Sequence, residues 1–109
     1  MLSRDDKALS DFEMAAKLDT KTVVPFFALG HYYVTKKDYL KSIEIYKEGL
    51  KIDPQDDSLL MNIANSYSAM GEYAKADAYY DRALTFNPDL AMAYYNKAKL
   101  TKEKKEELW

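Results

Sequence analysis

One stretch gathers the residues best equipped for chemistry. FFALGHYY, residues 26–33, holds four aromatic rings, a glycine and the single histidine of this 109-residue chain. An imidazole beside aromatic walls could serve as a general base, a metal ligand or part of a cofactor pocket. A base needs a group to orient it, and a metal needs further ligands. His31 has neither in sequence reach, and the chain has no cysteine to make a thiolate site or a nucleophile. The acidic pairs Asp5–Asp6, Asp56–Asp57 and Glu106–Glu107 fall at expected helix starts or in the tail, where carboxylates complement a helix dipole or stay solvated. No glycine-rich phosphate loop or nucleophile motif is present. The expectation is therefore a protein with no catalytic residue, no metal and no cofactor.

Composition narrows the class further. A hydrophobic content of 48% with 31% charged residues fits a folded chain and argues against both disorder and a membrane protein. No apolar run approaches the length of a membrane span, and the opening MLSRDDKALSD is too charged for a signal peptide. With no cysteine and no visible targeting segment, a cytoplasmic protein is expected. A net charge of -2 leaves no basic footprint for nucleic acid. The lysines at 97, 99, 102, 104 and 105 alternate with Glu103, Glu106 and Glu107, the pattern of a solvated helix face. Three glycines and three prolines are too few for a sheet protein with frequent turns, so helices joined by short connections are expected.

The elements that carry these residues repeat. Pro54 and Pro88 stand 34 residues apart, and the same shift lays Phe26 on Leu60, Leu29 on Ile63, Gly30 on Ala64 and Tyr33 on Tyr67. It also lays Tyr39 on Tyr73, Ser42 on Ala76, Tyr46 on Tyr80 and Leu50 on Leu84, without an insertion. Ala8, Phe12 and Ala15 form an incomplete earlier copy; Tyr94 and Ala98 begin a later one, which fades at Lys97 and Thr101. Within each period the apolar positions step by three and four, as on a helix face. Asp38 is a candidate N-cap, and Asp53–Pro54 and Asn87–Pro88 end helices because a residue before proline is driven out of helical conformation. Six helices are expected, over 4–18, 23–36, 39–52, 57–70, 73–86 and 90–107.

The spacing Phe26-x2-Leu29-Gly30-x2-Tyr33, Ser42-x3-Tyr46, Pro54 resembles the tetratricopeptide repeat signature, and Leu60-x2-Ile63-Ala64-x2-Tyr67, Ala76-x3-Tyr80, Pro88 resembles it again. Departures are Phe26 and Leu60, where the family often has Trp, and Gly49, where it usually has Ala. The resemblance implies an all-α fold of helix-turn-helix repeats stacked as a short right-handed solenoid. Residues 23–56 and 57–90 would be full repeats, with 1–22 the second helix of an earlier repeat and 91–109 a C-terminal partial repeat or capping helix, all in one array. Close helix crossing would use small residues, Gly30 facing Ser42 and Ala64 facing Ala76. Gly30 and most aromatic residues of FFALGHYY are thus read as packing.

The resemblance also implies a concave groove lined by the first helix of each repeat. The positions carried over are Phe27 and His31, Met61, Asn62 and Asn65, and Met92, Tyr95, Asn96 and Lys99. Apolar and aromatic residues on this face argue against a merely solvated surface. Asn62 and Asn96 are equivalent, and a carboxamide can both donate to and accept from an extended backbone. These features are similar to the asparagine ladders of tetratricopeptide superhelices, and they imply a peptide segment of a protein partner. The family's clamp for heat-shock-protein C-terminal carboxylates uses Lys, Asn, Asn, Lys and Arg. Phe27, His31, Asn62, Met92 and Asn96 stand there, so that tail is not the expected partner. Leu108 and Trp109 could anchor the last helix. Leu9, Phe12 and Met14 leave two readings open for the first: a piece of a longer array, or a homo-oligomer formed through the N-terminal helix.

Overall fold

The computed structural model describes residues 3–107, with side chains through Glu103; the anchors read at Leu108 and Trp109 lie outside the described residues. Six helices account for the secondary structure, and no strand occurs among the described residues. The chain divides into two compact units, residues 1–54 and 55–109. Each is a three-helix unit described below on its own.

Unit 1 contains α1 (Arg4–Leu18), α2 (Val24–Thr35) and α3 (Tyr39–Ile52). Ser3 caps α1, its Oγ accepting from the Asp6 N–H at 3.1 Å, and Asp5 and Asp6 lie in the first turn. No residue of α1 is fully buried; it meets α2 through the Phe12 ring, 6.2 Å from that of Tyr32, and through the Asp5–Lys36 ion pair. Pro25 starts α2, where its missing N–H costs nothing. Asp38 caps α3 as expected, accepting from the Lys41 N–H at 3.2 Å. Between α2 and α3 the core holds Leu29, Ile43 and Tyr46, with Ser42 and Gly49 also buried.

The close packing of Gly30 against α3 brings the Tyr46 ring onto its backbone. A methyl group added at Gly30 would overlap the Tyr46 ring, whose Cε1, Cδ1 and Cζ are the nearest atoms. Ser42 is buried and its hydroxyl donates to the Tyr39 carbonyl at 2.8 Å. With no side chain at Gly30, the ring of an α3 tyrosine can lie against the backbone of α2.

Unit 2 contains α4 (Asp57–Ala69), α5 (Tyr73–Phe86) and α6 (Ala91–Glu107). Asp56 caps α4 through the Leu59 N–H at 3.0 Å. Leu59, Leu60, Ile63, Ala64, Ala76, Ala83 and Ala93 are fully buried, and Tyr80 and Leu100 nearly so. Burying a Leu or Ile side chain contributes roughly 1.5–3 kcal/mol, so Leu59, Leu60 and Ile63 add substantially to the chain's stability. Asn87 donates its Nδ2 to the Asp57 carboxylate at 2.8 Å, tying the end of α5 to the start of α4. Lys97, which interrupts the apolar pattern of α6, is half-buried and meets Asp81 and Asp77 on α5. These contacts, led by the bond to Asp81, hold the ammonium pKa above its usual value.

Both units turn between their paired helices on a left-handed residue at the same place in the period: Lys37 with φ 61° and Gly71 with φ 77°. The next residue closes the turn identically, Asp38 N–H to Tyr33 O and Glu72 N–H to Tyr67 O, each at 2.9 Å. Asp53, in extended conformation, and Asn87, also outside the helical region, end α3 and α5 before the two prolines. All six helices match the boundaries expected from sequence within one residue.

Candidate functional site

Positions 92, 96, 99, 100 and 103 recur every three or four residues and so share one face of α6. In unit 2 that face meets Asn65, Ser68 and Ala69 of α4 and Tyr80 of α5 around an open cavity of about 440 Å³. The floor is polar. Tyr80 Oη donates to Asn65 Oδ1, and Asn96 Nδ2 donates to the same oxygen at 3.2 Å. One amide oxygen thereby serves two donors, leaving Asn65 Nδ2 and Asn96 Oδ1 free among the described residues. A donor and an acceptor stand side by side, the complement of a peptide N–H and C=O.

The charges are arranged unequally. Lys99 is exposed, Glu103 is half-buried, and neither forms an ion pair with another described residue. Burial pushes the Tyr80 phenol up to about 12, and the negative charge of Glu103 adds to the shift. Tyr80 is therefore a neutral hydrogen-bond donor at physiological pH. Met92, 54% exposed, supplies an apolar rim.

Of the nine groove positions expected from sequence, the cavity gathers Asn65, Met92, Asn96 and Lys99. Asn62 spends its Nδ2 on the Ser58 carbonyl of its own helix at 2.7 Å. Met61 packs half-buried against the core, and Tyr95, 66% exposed, stands outside the cavity wall. Phe27 and His31 belong to unit 1, where the Phe27 ring lies 6.2 Å from that of Tyr46 and His31 is exposed. Ser68, Ala69, Leu100 and Glu103 were not expected as wall residues, and Tyr80 was read only as packing. Stepping three or four residues from Asn65, Asn96 and Lys99 reaches the first four.

The equivalent place in unit 1 is built differently. The period sets His31 where unit 2 has Asn65 and Tyr46 where it has Tyr80. Tyr46 Oη is fully buried with no hydrogen-bond partner among the described residues, and burial pushes its phenol up to about 12.

Comparison with known proteins decides the family. The tetratricopeptide repeat pattern matches residues 25–56 and again 58–90. This chain belongs to the tetratricopeptide repeat family. It is similar to protein bimA of Emericella nidulans, 29% identical over 80% of this chain, and to the BBSome complex member BBS4 of Bos taurus, 31% identical over 80%. It is also similar to the human protein O-mannosyl-transferase TMTC1, 32% identical over 92% of this chain. It spans only 11%, 17% and 12% of those three proteins. Among solved structures, MamA superposes with a TM-score of 0.83 at 18% identity, covering 92% of this chain and 58% of MamA. The Arabidopsis OM64 tetratricopeptide domain gives 0.81 at 16% identity, covering 91% of this chain and 82% of that domain. The tetratricopeptide repeats make this chain a protein-interaction module. No described helix is long and apolar enough to cross a membrane.

Proposed function

We propose that this chain binds a peptide segment of a protein partner, without chemistry of its own, and that the cavity of unit 2 holds the peptide's main chain. The observation that carries this reading is the Asn65–Asn96 pair, whose internal bonds leave one donor and one acceptor for a backbone. The Tyr80 bond fixes which end of Asn65 faces outward, so the site is organised before a ligand arrives. Such preorganisation lowers the entropic cost of binding. In the same reading, Phe27 and His31 offer contacts in the first full repeat, 23–56, Met61 and Asn62 in the second, 57–90, and Tyr95 on the helix that follows it. A heat-shock-protein carboxylate tail is not the proposed partner, because Phe27, His31 and Met92 replace the cations of that clamp. A nucleic acid is not proposed either, given the net charge of -2.

The test is capture from a lysate by wild type and by Asn96→Ala, which keeps the Tyr80–Asn65 bond, after the two are matched in helicity and melting. A photo-crosslinking residue at Ser68 then maps the captured segment. The expected result is a protein cross-linked through one extended segment and lost from Asn96→Ala. Equal capture by both proteins, with no cross-link at position 68, refutes the reading.

A further inference from the structure

The carboxylate of Glu103 finds no use in the main-chain scheme. It is half-buried in the cavity wall, one turn beyond Lys99 and two beyond Asn96 on the same face of α6, and no described cation pairs with it. A carboxylate that has lost part of its water gains most from a cation delivered with the ligand. The surroundings suit the stem of such a cation. Leu100, between Asn96 and Glu103 on that face, gives the wall an apolar edge for methylenes, while a long basic side chain keeps its charged head at the polar end. Lys99 is more exposed than Glu103, so solvent screens it more, and its flexible stem can swing away.

We propose that the cavity of unit 2 selects a peptide bearing a lysine or arginine side chain, whose charge pairs with Glu103 while its backbone is held by Asn65 and Asn96. This rests on the peptide-binding reading above and adds the chemical class of the residue recognised. Charge complementarity chooses the occupant: an acidic peptide would meet Glu103 as a like charge, and an aliphatic one would leave it unpaired.

The experiment uses the full chain and fluorescent nine-residue peptides, acetylated and amidated so that neither terminus is charged. The central residue is fixed as Lys, Arg, Gln, Leu or Glu, and the flanks are randomised. Anisotropy titrations at low and physiological salt give each affinity. The expected result is tighter binding of the Lys and Arg sets than the Gln set by about five- to tenfold, weakening as salt rises. Glu103→Gln should erase that preference, bringing the Lys and Arg sets to the affinity of the Gln set. Lys99→Gln should leave the preference in place or enlarge it. Binding of all five sets with equal strength overturns this inference alone, as does a preference that survives Glu103→Gln. Binding of no set overturns the peptide-binding reading, and this inference with it.

Discussion

Two tyrosines at equivalent places in the period should respond in opposite senses to loss of a single oxygen atom. Tyr46 Oη is buried without a partner among the described residues, whereas Tyr80 Oη donates to Asn65. An unpaired buried polar group costs about 1–3 kcal/mol, and a satisfied hydrogen bond contributes about 0.5–1.5 kcal/mol net. Tyr46→Phe removes the cost and keeps the ring against Gly30. The small void it leaves offsets part of the gain, for a net stabilisation of about 1 kcal/mol. Tyr80→Phe removes a made bond and leaves Asn65 Oδ1 with Asn96 alone, for a loss of about 1–2 kcal/mol. The two variants should therefore differ by about 2–3 kcal/mol although the chemical change is the same. Urea denaturation followed by helical circular dichroism measures this directly. Midpoints are the quantity to compare, because repeat proteins can unfold piecewise. If Tyr46→Phe loses as much stability as Tyr80→Phe, the Tyr46 hydroxyl has a partner in solution and the reasoning fails.

Three further outcomes follow from the same geometry. Gly30→Ala should destabilise by about 1–2 kcal/mol in the same denaturation assay, because overlap with the Tyr46 ring outweighs the roughly 1 kcal/mol helix-propensity gain of alanine; a rise in midpoint would contradict the close contact. Lys37→Gly should stabilise by about 0.5–1 kcal/mol by relieving a side chain held at positive φ, and Gly71→Ala should lose a similar amount, read as opposite shifts in melting temperature. Both core phenols have folded pKa values raised to about 12, so their contribution is complete below the unfolded value near 10 and is lost as pH climbs towards 12. Stability should fall across that window by up to about 2–3 kcal/mol per phenol, and Tyr46→Phe should flatten the fall measured by pH-dependent denaturation.

The helices and their pairing were legible in the sequence because both rest on spacing. Apolar steps of three and four, Asp38 before a run, and a residue before each proline are local signals that tertiary structure did not override. The candidate site was only partly legible. Asn65, Asn96, Met92 and Lys99 follow from which face of a helix is free. Tyr80 could not be added on that basis, because periodicity marks its ring as core and carries no information about where the hydroxyl ends. Glu103 was hidden in a run of alternating charges that reads as a solvated surface. That the Tyr46 ring covers Gly30 was not legible for a related reason: position in the period names which helix is opposite, while the reach of a side chain decides which residue comes nearest.

That pairing of Gly30 with Tyr46 bears on how such proteins can be recombined. In unit 1 a bare helix backbone accommodates a ring that lies flush against it, and in unit 2 an alanine stands at the same place opposite a ring whose hydroxyl bonds to Asn65. A first helix carrying alanine, grafted beside the second helix of unit 1, would collide with Tyr46. The reverse graft would leave a methyl-sized gap beside Tyr80, and His31 would arrive in place of the amide that its hydroxyl uses. Shuffling single helices between the two repeats should thus yield poorly folded hybrids, while moving a whole hairpin should not. The transferable part in this chain is the matched pair of helices.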